Sequence, residues 1–178
     1  SISSVEDLLK GIKDLAPIYF VTGNHELTSL AATQYQELLA LFQKYGVTDL
    51  DNDSVKLKKG GQSITLYGRQ YFSQYLTDSL PIASDKDFDI LLYHGSDNFK
   101  EIAPYHYDLI LSGHAHGGIV RLPIWGGIFG NDGTFFPEYA GGEYTIGDAT
   151  LISSRGLGDA SIPRFNNPPE LVVIKLNP

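Results

Sequence analysis

The chain contains neither cysteine nor methionine, and it has a single tryptophan. Without cysteine there is no disulfide framework, no thiolate zinc site and no cysteine nucleophile, although the compartment stays open because secreted proteins can also lack cysteine. The missing initiator methionine implies a processed chain or a fragment. Basic residues are few: 13 Lys and Arg against 21 Asp and Glu give a net charge of -8 and a pI near 4.9. That balance excludes the broad positive footprint of a nucleic-acid binder. An anionic substrate must therefore be attracted locally, which bound metal ions can do in an acidic protein. No apolar run approaches the roughly 20 residues of a membrane helix, and Ser1 to Lys10 lacks the basic and apolar regions of a signal peptide. Hydrophobic residues at 42% and charged residues at 19% are ordinary globular usage, which excludes disorder and fibrous repeats. The 178 residues fit one domain, 1–178, with no linker or internal repeat.

Ser3 and Glu6 form a capping pattern ahead of Val5, Leu8, Leu9 and Ile12 at helical spacing, which predicts a helix over 4–15. After Pro17, Ile18 to Val21 reads as a buried strand that runs into Gly23-Asn24-His25-Glu26. A second helical stripe, Leu38, Leu39, Leu41, Phe42 and Tyr45, follows a cap at Thr33 and stops at Gly46. Gly60-Gly61 predicts a hairpin between 55–59 and 62–67. Phe88 to Tyr93 and Tyr107 to Leu111 are apolar strands with a short helix between them over 98–105, so they belong to one sheet through a crossover. Residues 117–140 are loop-rich, with turn signals at Gly126-Gly127, Asn131-Asp132-Gly133 and Pro137. Ala149 to Ser153 and Glu170 to Leu176 read as further strands.

Four of the five histidines lie at predicted strand ends, in Gly23-Asn24-His25-Glu26, Tyr93-His94-Gly95 and Gly113-His114-Ala115-His116-Gly117. Imidazole and amide oxygens are ligands for borderline divalent metals, and the flanking glycines let the backbone turn tightly beside an ion or phosphate. This ordered set resembles the calcineurin-like metallophosphoesterases, with G-N-H-[DE], a histidine after an apolar strand, and G-H-x-H. Gly117 to Pro123, Ser154-Arg155-Gly156-Leu157-Gly158 and Asn167-Pro168-Pro169-Glu170 extend the likeness toward a bacterial branch that often carries a membrane anchor.

The resemblance implies a mixed α/β fold, the four-layer αββα sandwich with two mixed sheets, and a two-metal site at the strand ends that activates water for attack at phosphorus. Asn24, His94 and His114 would bind one divalent ion and His116 the other, the ions being Mn, Fe or Zn. His25 would assist the leaving oxygen, with Glu26 positioning it. The family's D-x-H and G-D-x-x-D segments are absent here. Gly147-Asp148 and Gly158-Asp159 lack the later aspartate, which argues against circular permutation. The expectation is a C-terminal portion of the family domain, inactive alone, whose missing upstream segment would complete the site and allow membrane association. Its substrate would be a phosphorylated small molecule, a nucleotide or a lipid-linked compound. A noncatalytic module that kept the fold is the alternative, and a one-metal domain using Asn24, His94 and His114 is a third reading.

Outside the motifs, His106 between Tyr105 and Tyr107 reads as part of an aromatic cluster. Arg155 and Arg164 fit phosphate contact and loop bracing equally. Trp125, Phe129, Phe135, Phe136 and Tyr139 could line a lipid or sugar pocket but read first as a satellite core. Lys56, Lys58 and Lys59 mark a solvated strand edge.

Overall fold

The computed structural model describes residues 2–71, 76, 80–84, 87–130, 133–158 and 163–177. The elements run α1 (Ile2–Ile12), β1 (Ile18–Phe20), α2 (Asn24–Thr28), α3 (Ala32–Tyr45), β2 (Val47–Asp49), β3 (Ser54–Lys59), β4 (Gln62–Arg69), β5 (Phe88–Gly95), α4 (Phe99–Ile102), β6 (Leu109–Gly113), β7 (Val120–Leu122), β8 (Gly126–Phe129), β9 (Gly142–Ile146) and β10 (Ala149–Ser153). Asn131, Asp132 and Asp159 lie outside the described residues.

A six-stranded mixed sheet in the order β3-β4-β5-β6-β10-β9 forms the centre, with β4, β5, β6 and β10 parallel to one another and antiparallel strands at both edges. Side-chain alternation along the strands sorts the core into two faces. On one face Leu91, Tyr93, Ile110 and Leu151 pack with Phe99 and Ile102 of α4 and with Tyr107. On the other, Leu66, Ile90 and Leu109 pack against Leu50, Tyr19 and Val21. Strand β1, parallel to β2, is itself two-sided. Tyr19 and Val21 face the large sheet, while Ile18 and Phe20 face Leu9 of α1 and Leu38 and Phe42 of α3. The layers are thus helices, small sheet, large sheet and helix, the α/β sandwich anticipated from the motifs. The two sheets approach so closely at Gly68 that a Cβ there would stand 2.1 Å from the Leu50 carbonyl oxygen.

Helix α3 ends at Gly46, whose φ of 69° is the left-handed geometry a glycine stop supplies. The Gly60-Gly61 hairpin forms, and β3 is an edge strand with Lys56, Lys58 and Lys59 on exposed positions. Two expectations fail. Residues 170–176 form no strand: a strand needs a ladder partner alongside, this segment pairs with no strand among the described residues, and Leu171 and Val173 stay exposed. The loop aromatics do not form a satellite core either. Tyr139 joins the main core against Phe99, whereas Trp125, Phe135 and Phe136 remain largely exposed, because the two-stranded ribbon β7–β8 has no covering layer among the described residues. His106 is exposed in a left-handed turn at φ 64°.

Candidate functional site

Strand β1 leaves the sheet at Thr22, which is completely buried and tied at both its N–H and its hydroxyl to the Asp51 carboxylate, at 2.9 and 2.7 Å. Burial raises the Asp51 pKa, against the lowering effect of these two bonds. The fixed exit delivers Gly23, whose N–H donates to Glu26 Oε2 at 2.8 Å. Glu26 therefore closes the first turn of α2 on itself and braces the loop that carries Asn24 and His25. Glycine at position 23 is a matter of space. A Cβ would lie 3.0 Å from both Cδ2 and Nε2 of His94, so any side chain would press on that ring.

His94 sits near the end of β5, where the pairing with β6 slips between Leu92 and Gly95. Such a bulge re-aims a side chain locally. His114 follows β6 directly. Both converge on the amide of Asn24: His94 Nε2 is 3.1 Å and His114 Nδ1 is 3.3 Å from Asn24 Oδ1. The two imidazole centroids are 5.2 Å apart, and Tyr71 packs against both rings. Burial, then the neighbouring His114, His116 and His25, depress the His94 pKa to about 4. The ring is neutral at physiological pH, so it keeps a nitrogen lone pair.

The loop after β6 is backbone-strained. His114 and His116 have φ of 67° and 49°, and Gly117 and Gly118 continue at 73° and 68°. Non-glycine residues persist in the left-handed region only where their surroundings hold them. The holding comes from residues far along the chain. Asn167 Nδ2 donates to the carbonyls of His116 at 2.6 Å and Ile119 at 3.3 Å, and Arg121 donates to Gly117 O at 2.7 Å. Arg164 reaches the carbonyls of His116 at 3.4 Å and Arg155 at 2.8 Å, that of Gly158, and the His116 ring at Nδ1. Arg155 is paired with Glu170 at 2.8 Å. Of the two readings of these arginines, the contacts favour loop bracing. Burial, followed by the Arg164 charge, lowers the His116 pKa. His25 is exposed on the first turn of α2, and its charge is felt by both His94 and His116.

Asn24, His94 and His114 are thus brought together, with His116 and His25 in the same electrostatic neighbourhood. Donor atoms held by one ion through bonds of about 2.0–2.1 Å stand about 2.8–3.4 Å apart at octahedral to tetrahedral angles. The separations from Asn24 Oδ1 to the two imidazole nitrogens fall within that span, and the amide and imidazole donors suit a borderline divalent ion. Among the described residues no three His, Asp or Glu side chains gather as a ligand set; the donors here are two imidazoles and an amide. Asn167 is the site residue that sequence reasoning missed. Its signal was only the Asn167-Pro168-Pro169-Glu170 motif, which carries no local chemistry.

Comparison with known proteins places these features in a family. The calcineurin-like phosphoesterase family matches residues 1–118, and the chain belongs to it. Uncharacterized protein YpbG of Bacillus subtilis is 28% identical over 166 residues, 90% of this chain and 58% of that protein. Phosphodiesterase YaeI of Escherichia coli is 24% identical over 177 residues, 99% of this chain and 64% of that protein. UDP-2,3-diacylglucosamine pyrophosphatase LpxG of Chlamydia trachomatis is 33% identical over 94 residues, 48% of this chain and 28% of that protein. The chain therefore spans less than two thirds of the length of each of these three. No solved structure matches it.

Proposed function

We propose that this member of the calcineurin-like phosphoesterase family is part of a metal-dependent phosphohydrolase that cleaves phosphodiester or pyrophosphate bonds, with residues 1–178 forming the C-terminal portion of one domain. The observation that carries the reading is the convergence of Asn24, His94 and His114 from the ends of β1, β5 and β6 on one point. Asn24, His94 and His114 would hold one divalent ion and His116 would contribute to a second, the ions being Mn, Fe or Zn. When bound, such ions supply positive charge for the phosphoryl oxygens and an activated water.

The chain's own residues set the conditions. His94 stays neutral because it is buried, so no proton competes for its lone pair near pH 7. The grip of Arg164 and Asn167 on the His116 loop removes conformational freedom before substrate arrives, and such preorganisation lowers the cost of reaching the reactive geometry. His25, exposed beside Asn24, holds the proton that passes to the leaving oxygen as the phosphorus–oxygen bond breaks. Glu26 keeps that histidine in place by closing the turn beneath it. General acid assistance of this kind contributes about 10²- to 10⁴-fold in rate.

The test uses bis-nitrophenyl phosphate with added Mn or Zn. A protein extended upstream is active and this chain alone is not. In the extended protein His25→Gln lowers kcat by about 10²- to 10⁴-fold with metal content unchanged, and Asn24→Ala lowers the metal content. Robust turnover by residues 1–178 alone, or loss of a metal on His25→Gln, would overturn the assigned roles.

A further inference from the structure

Residues 134–139, between β8 and β9, make one wall of a cleft that also holds a residue of the candidate site. The cleft, of about 380 Å³, is lined by Ser96, Asp97 and His114 together with Phe135, Phe136 and Pro137. That volume lies within the range of small-molecule sites. The two phenylalanines are left 72% and 56% exposed, and the tryptophan beside them, Trp125, is 69% exposed with its ring 6.4 Å from that of Phe136. Ile124 is fully exposed at φ 74° and Phe136 stands at φ 55°. A β-branched residue and an aromatic in left-handed backbone, both in water, carry a conformational cost and a solvation cost at once. Contiguous exposed apolar surface of this kind marks a binding region.

Charge narrows the occupant. From Leu122 to Pro137 the sequence carries one charged residue, Asp132. Among the described residues the charged side chains lining the cleft are Asp97 and Glu138, both acidic, and no lysine or arginine lines it. Lys100 stands outside the lining and is paired with Glu138 at 2.7 Å, so a second phosphate or a polyphosphate meets no lysine or arginine among the described lining residues. The apolar surface continues past the cleft from Phe136 to Trp125, whose ring centroid stands 6.4 Å away, more apolar surface than one nucleobase would cover.

From this we infer that the cleft is the subsite for the apolar tail of an amphiphilic phosphoester, a lipid-like substrate whose phosphate sits toward His114. The assignment rests on the phosphoesterase reading, because continuity with His114 makes the occupant the molecule that the site processes. A protein partner seated on the same surface would close the cleft to that molecule.

Trp125, the sole tryptophan, reports occupancy without catalysis. Dodecyl phosphate below its micelle concentration is expected to shift its emission to the blue, and butyl phosphate at equal concentration to leave it unmoved. Affinity should rise by up to roughly fourfold per buried methylene. Phe135→Ser and Phe136→Asn, the second chosen because asparagine accepts left-handed backbone, should each weaken dodecyl phosphate at least tenfold with the urea midpoint unchanged. An equal response in the variants, no dependence on chain length, or a stronger response to thymidine monophosphate overturns the tail site.

A second arm separates the two readings. In the upstream-extended protein, kcat/KM for alkyl nitrophenyl phosphates should climb with chain length. Turnover that is flat from methyl to dodecyl overturns the tail site and leaves the phosphoesterase standing. Chain-length-dependent binding with no turnover of any ester overturns the phosphoesterase and supports the tail site.

Discussion

Acidification of the metal-free protein should expose the cost of burying His94. Its pKa is about 4 in the folded chain against 6.5 for a free histidine. The folded value is depressed, so the neutral ring's contribution is fully present above pH 6.5 and is lost as the pH falls toward 4. Between pH 7 and pH 5 the unfolded chain gains protons that the folded chain refuses, and this one ring then costs about 2 kcal/mol of stability. The experiment is urea denaturation after chelator treatment, at both pH values, on the wild type and on His94→Gln. The substitution has its own effect on stability, but glutamine does not titrate. The pH-dependent loss should therefore be smaller in the variant by about 2 kcal/mol, while the contribution of His116, also depressed by burial, stays common to both proteins. Equal losses within about 0.5 kcal/mol would refute the argument that burial among His25, His114 and His116 holds this ring neutral.

Three further outcomes follow from close contacts. Gly68→Ala places a methyl 2.1 Å from the Leu50 carbonyl oxygen and should destabilise by about 2–4 kcal/mol in urea melts, since backbone must move to admit it; a change below about 0.5 kcal/mol would mean that the two sheets are not locked there. Gly23→Ala meets the His94 ring at 3.0 Å in an allowed backbone conformation, so titration calorimetry should show weakened divalent-metal uptake with less than about 1 kcal/mol lost in stability. Asn167→Ala strips two donors from buried-side carbonyls, and a loss of about 1–3 kcal/mol is expected in thermal or urea unfolding.

Much of this arrangement was legible in the sequence because its signals are local. Ile18, Tyr19 and Phe20 announce a strand, which the fold leaves half-buried, Gly46 announces a helix stop, and histidines beside glycines at strand ends announce a site. The failures are all long-range. Leu171, Val173 and their neighbours have the composition of a strand, yet a strand needs a ladder partner alongside, and this segment pairs with neither of the edge strands β3 and β9. Trp125 and Phe136 have the composition of a core, yet burial depends on a covering layer. Strand β9 opens with Gly142 and Glu143, poor strand formers, and exists through its pairing with β10 across the Gly147 turn. The hold of Asn167 on His116 spans 51 positions and is written in no periodicity, only in the three-dimensional return of the chain.

That return has a consequence for the order in which the protein is made. The family match ends at residue 118, and every side chain given a metal-binding or catalytic role lies within it. The backbone around His116 nonetheless takes its strained shape from Arg164 and Asn167. At about 5–20 residues per second, the ribosome needs roughly 3–10 s more to make the 51 residues that separate His116 from Asn167. A nascent chain thus carries all these side chains before their loop can set, and His116 comes under constraint only once Asn167 has been made.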